Sequence, residues 1–192
     1  MIGAFARTWD SLLGRGEAAV TVPPLDGALR PNRLLDEVGT RFPLPDVDCL
    51  AVLDNKIVAS AGHDLFELAT DSNWQMRKSY GSQIASIACF EKEALAIALV
   101  SGEILIEGGR FSGQSFSIRG VTCITALVAQ DGNLFVANGS AIHSSPDWQQ
   151  DLMSRGVSGS IWCLDIGTGQ ARKVADGLSW PAGLALDGEY LV

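Results

Sequence analysis

Asn138 and His143, five positions apart, are the side chains best suited to work on a bound molecule, and they form the candidate substrate-binding pair. An imidazole with an unperturbed pKa of about 6.5 can act as a general base, and a carboxamide can orient a substrate by donating and accepting hydrogen bonds. Both residue types also cap turns, so the pattern leaves both roles open. No catalytic group can be assigned from the sequence.

The other potential sites read more plainly. His63 follows Ala61-Gly62 between two apolar runs and reads as a turn histidine with a local hydrogen bond. Asp147 and Asp151 stand four apart and could approach one cation through oxygen ligands, against the alternative of solvated loop acids. Asn138-Gly139-Ser140 is a formal glycosylation sequon, but no secretory leader gives it weight. Gly108-Gly109 lacks the lysine and spacing of a phosphate loop, and no Gly-x-Ser-x-Gly elbow occurs. Cys49, Cys89, Cys123 and Cys163 lie 34 to 40 residues apart in apolar runs, which predicts buried free thiols rather than a zinc or redox pair.

The composition is that of an ordinary folded chain, with 47% hydrophobic and 19% charged residues. Fourteen basic and 22 acidic residues give a net charge of −8, which argues against a phosphate-binding or anionic-lipid-binding surface. Ile2, Phe5, Trp9, Leu12 and Leu13 recur at helical spacing, so a short amphipathic N-terminal helix is expected. No apolar run approaches the roughly 20 residues that span a bilayer, and a cytoplasmic location follows by default.

A repeat positions the candidate residues. Segments beginning at Leu50, Ile87, Ala126 and Leu184 each read as an apolar strand, a short polar turn and a second apolar strand, at intervals of 37, 39 and 58 residues. In the first three a second hairpin follows, giving about four strands per repeat. A period near 40 with four strands is the signature of a β-propeller blade. The long third interval comes from residues 142–159, expected as an ordered loop pinned by Trp148, Leu152 and Met153. Trp162, Trp180 and Phe135 are expected to pack between blades. Pro181 to Leu186 reads as a new strand entering an Asp187-Gly188 turn. The expected organisation is an N-terminal helix and turn-rich connection over residues 1–46, with a possible strand at Ala18–Val22, then a partial propeller over 47–192. Its blades would lie near 47–83, 84–122 and 123–180, with the start of the next at 181–192.

From Leu134 onward the chain resembles the strictosidine synthase-like branch of the six-bladed propellers, which includes gluconolactonase/regucalcin and paraoxonase relatives. Three features carry the likeness. They are the strand ending at Asn138, the Gly159–Asp165 strand with its Gly-Thr-Gly turn, and Gly177-Leu-Ser-Trp-Pro-Ala-Gly-Leu-Ala. The resemblance implies an all-β, six-bladed protein of roughly 300 residues, of which three blades and the start of a fourth are present. It places Asn138 and His143 near the tunnel mouth and implies a small organic substrate in the central tunnel. It also implies an acid/base group on a blade beyond Val192. Many relatives carry a calcium-binding Asn where this chain has Ala182, whose methyl group cannot ligate a hard cation. Strictosidine synthase-like condensation, a metal-dependent lactonase or esterase, and a non-catalytic propeller that binds a ligand or protein all remain open, as does a seven- or eight-bladed scaffold of other ancestry.

Overall fold

Short runs of alternating apolar and polar residues, punctuated by Asp, Asn and Gly, fold into successive antiparallel meanders. The computed structural model describes residues 37–188 and 190–192. The expected helix near Ile2–Leu13 and the possible strand at Ala18–Val22 lie outside these residues. The chain divides into units Met1–Arg41 and Phe42–Val192, and every strand below belongs to the second.

The first sheet is β1 (Val47–Leu53), β2 (Lys56–Ala61), β3 (Asp64–Leu68) and β4 (Trp74–Ser79), in that order. The second is β5 (Ile84–Glu91), β6 (Ala94–Leu99), β7 (Glu103–Glu107) and β8 (Ser115–Ser117). The third is β9 (Ile124–Gln130), β10 (Asn133–Asn138), β11 (Gly159–Asp165) and β12 (Ala171–Leu178). A two-stranded ribbon, β13 (Leu186–Asp187) with β14 (Tyr190–Leu191), follows. β1 lies beside β5 and β5 beside β9, so the first strand of each sheet is innermost and the sheets radiate as blades. The result is an all-β partial propeller.

Local chemistry sets the hairpins. Asp54 and Asn55 at φ 47° and 63°, and Asp131 and Gly132 at φ 49° and 78°, supply the paired positive φ of two-residue hairpin turns. β6 is buried on both faces because it is the central strand of the middle blade. Its sequence ALAIAL sends Leu95, Ile97 and Leu99 into the cluster with Leu53, Val58, Leu65 and Ile84. Ala96 and Ala98 face the opposite cluster with Ile104, Ile124, Leu134, Val136 and Leu164. Fully burying one Leu or Ile contributes about 1.5–3 kcal/mol, so this alternation of large and small residues binds blade two to both neighbours.

Two expectations are corrected. Pro181 to Leu186 is not one strand; pairing begins only at Ala185, which exchanges both backbone hydrogen bonds with Val192 ahead of the Leu186–Leu191 pair. Trp180 has φ 43° and Pro181 brings no N–H, so the chain bends there before it can join a ladder. Residues 142–159 carry a short helix α1 (Trp148–Met153), but the residues expected to pin the segment do not pin it. Trp148, Leu152 and Met153 are 44%, 43% and 87% exposed, and the buried member of α1 is Asp151.

Candidate functional site: the mouth of the inner strands

Each inner strand begins with a β-bulge at the same place. Between Val47 and Cys49, opposite Ala61 and Ser60, the extra residue is Asp48. Between Ile84 and Ser86 it is Ala85, and between Ile124 and Ala126 it is Thr125. A bulge leaves one residue outside the ladder and re-aims its side chain, which is why bulges recur beside binding sites. Asp48, Ala85 and Thr125 accordingly line one cavity of about 240 Å³ at the starts of the inner strands.

The rest of the wall comes from connections at that end. Gln83 and Val100 come from blade two, Ser145 and Trp148 from the β10–β11 connection, and Trp180 and Ala182 from the segment leading to β13. Thr125 Oγ1 donates to the Pro181 carbonyl and so ties this lead-in to blade three. Gly139 makes room for the tie, since a Cβ there would lie 2.8 Å from Thr125 Cγ2 and 3.1 Å from the Trp180 ring. Trp180 itself sits in the left-handed region, where a bulky residue is strained by roughly 1–3 kcal/mol. Strain of this kind concentrates at binding sites, and here it sets an indole against the cavity.

Side chains at the far ends of the second strands hold the bulges. Ser60 Oγ accepts the Cys49 N–H at 3.1 Å, and Asn138 Oδ1 accepts those of Thr122 and Cys123 at 3.2 and 3.0 Å. Burial, then the Asp48 charge, push the Cys49 thiol up, partly offset by its hydrogen bond with Ser60. Burial is also the leading cause that raises Cys89 and Cys123. All four cysteines are free thiols.

Asn138 and His143 stand outside the lining of this cavity. Asn138 has 0% exposure and its carboxamide oxygen is occupied by two backbone donors, so the sequon amide is shut away in the folded chain. His143 is half-buried and donates its backbone N–H to Ser140 Oγ at 3.0 Å. His63 is exposed in the β2–β3 turn. Asp147 and Asp151 do not converge. Asp147 accepts from the Ser144 hydroxyl at 2.5 Å, whereas Asp151 is 1% exposed and turned to Ser140, which corrects its reading as a solvated acid. Among the described residues no three His, Cys, Asp or Glu side chains group as metal ligands. Trp162 packs against the cluster between blades two and three, Phe135 is half-buried, and Trp180 walls the mouth.

Sequence reasoning missed Asp48, Thr125, Gln83, Ser145 and Trp148. A signal existed for two of them, since Asp48 and Thr125 each stand just ahead of an apolar inner-strand run. The bulges that expose them leave no trace in periodicity. With Trp180 these groups offer a carboxylate, a carboxamide, two hydroxyls and two indoles, a set that can hold an organic molecule by stacking and a few polar contacts.

No family model and no curated protein matches the chain. Among solved structures, one described as the structure of U3-55K is similar with a TM-score of 0.51 at 12% identity, over 72% of this chain and 42% of that one. The Myxococcus xanthus glutaminyl cyclase is similar with a TM-score of 0.50 at 14% identity, over 76% of this chain and 60% of that one. This chain therefore spans less than two thirds of either, and the likeness shows a β-propeller fold. No described helix is long and apolar enough to cross a membrane.

Proposed function

We propose that this chain is part of a propeller that binds a small organic molecule at the mouth formed by Asp48, Thr125, Ser145, Trp148 and Trp180. The observation that carries the reading is the repeated bulge, which gives up a ladder position in each of three blades and aims the freed residue at one cavity. The strictosidine synthase-like resemblance of residues 134–192 agrees with such a site and suggests a condensing activity whose acid/base group lies outside this chain. Asn138 serves that site by fixing the start of β9, and His143 stands as a rim group on the connection that carries Trp148. A metal-dependent lactonase is the weaker variant, because Ala182 puts a methyl group in the mouth. A cytoplasmic setting accords with four unpaired thiols.

Leu50, Val52, Ile57 and Met76, 64%, 62%, 41% and 62% exposed on the face of blade one turned away from blade two, accord with a further blade of the propeller packing there.

A thermal-shift screen of small organic compounds against the chain tests the small-molecule reading. A ligand at 100 times its Kd should stabilise the fold by about 2.7 kcal/mol, and Trp148→Ala or Asp48→Asn should abolish the shift. A shift unaltered by both substitutions would place the ligand elsewhere.

A further inference from the structure

The β10–β11 connection is gathered at one buried polar point. Ser140 and Asp151 are 0% and 1% exposed. The Ser140 hydroxyl donates to Asp151 Oδ1 at 2.7 Å and lies 3.0 Å from Ser158 Oγ. Ser140 Oγ also accepts the N–H groups of Ile142 and His143 at 3.1 and 3.0 Å, while Ser158 Oγ accepts that of Ala141 at 3.1 Å. Both ends of the connection and its middle thus meet at three side chains.

Asp151 is packed there at a cost. Its Oδ2 is buried without a hydrogen-bond partner, and a buried acceptor left unpaired opposes folding. The carboxylate rests on bare backbone, because a Cβ at Gly156 would stand 2.4 Å from Oδ2. The Gly156 N–H donates to the Asp151 carbonyl at 2.8 Å. Apolar packing does not hold α1, whose only buried residue is Asp151.

We infer that Asp151 is a positioning residue: with Ser140 and Ser158 it forms a clasp that holds residues 139–158 at the mouth and sets Trp148 and Ser145 beside Asp48 and Thr125. The importance of that placement rests on the mouth being the binding site; the clasp itself does not.

Cys123 lies next to the clasp and reports its opening. It is 1% exposed, and its thiol is pushed up by burial and, to a lesser degree, by the Asp151 charge. The full chain is alkylated with iodoacetamide at one neutral pH, and each cysteine is followed by peptide mass spectrometry. Ser158→Ala and Asp151→Ala should each raise the Cys123 rate at least about tenfold through local opening, with Cys163 in β11 unchanged. Asp151→Asn removes the charge but keeps an acceptor for Ser140, and should stay near the unsubstituted rate. The inference is overturned by an unchanged Cys123 rate in Ser158→Ala, by Cys123 and Cys163 rising together, or by Asn behaving as Ala does. Should Asp151→Ala fail to fold, Ser158→Ala, which retains the carboxylate, decides the matter. No ligand enters the measurement, so a failed compound screen leaves the clasp standing and a failed clasp leaves the mouth standing.

Discussion

The hydroxyl of Ser86 in β5 accepts the backbone N–H of Leu127 in β9 at 3.1 Å, a buried bridge between the inner strands of neighbouring blades. Ser86 follows the bulged Ala85, so the bulge that aims residue 85 at the mouth also delivers this serine to the next blade. Ser86→Ala leaves the Leu127 N–H buried and unpaired, and should destabilise the chain by about 1–3 kcal/mol in urea unfolding. A loss below about 0.5 kcal/mol would mean that the bridge contributes nothing.

Asn138 does the equivalent work within blade three. Its oxygen holds two backbone donors, so Asn138→Ala should cost about 2–4 kcal/mol, more than Ser60→Ala, which releases one. Equal costs for the two substitutions would contradict the count of freed donors.

Gly108 has φ 75°, and a Cβ there would lie 2.0 Å from the Glu93 carbonyl oxygen. Gly113 has φ 85° but open space around it. Gly108→Ala should therefore cost about 3–5 kcal/mol and Gly113→Ala only about 1–2 kcal/mol, the backbone term alone. Matching unfolding midpoints would show that the Glu93 contact relaxes freely.

The Tyr80 side chain is 8% exposed, and burial, then the Glu107 carboxylate beside it, hold its phenol above the usual tyrosine range. The folded state thus keeps this proton more tightly than the unfolded chain, whose tyrosines ionise near about pH 10. Stabilisation from the neutral phenol is complete below about pH 10 and is lost as pH rises beyond it. Unfolding midpoints should fall less steeply above about pH 10 in Tyr80→Phe than in the unsubstituted chain. Parallel curves would rule out the shifted phenol as a cause of alkaline loss.

Legibility in the sequence followed the physics of each element. The all-β propeller class could be read because period-two alternation and Asp-Gly or Asp-Asn turns are local signals, and the repeats expected from Leu50, Ile87 and Ala126 fall in β1, β5 and β9. The mouth could not be read so far ahead. A bulge is a property of two paired strands, and nothing within β1 alone distinguishes Asp48 from a turn acid. Asp151 misled for a related reason, since a lone acid in a polar segment looks solvated until Ser140, eleven positions away, is seen to donate to it. Trp148 looked like an anchor because large aromatics usually bury, yet here it stands 44% exposed at the cavity.

The repeated bulge has a bearing on how such a protein can change. Asp48, Ala85 and Thr125 each stand where the ladder skips a residue, so exchanging their side chains leaves every rung of the inner strands in place. Already the three positions hold an acid, a methyl group and a hydroxyl. Side-chain variety at these positions is thus uncoupled from the inner-strand ladders, with Thr125 carrying a second duty in its tie to Pro181.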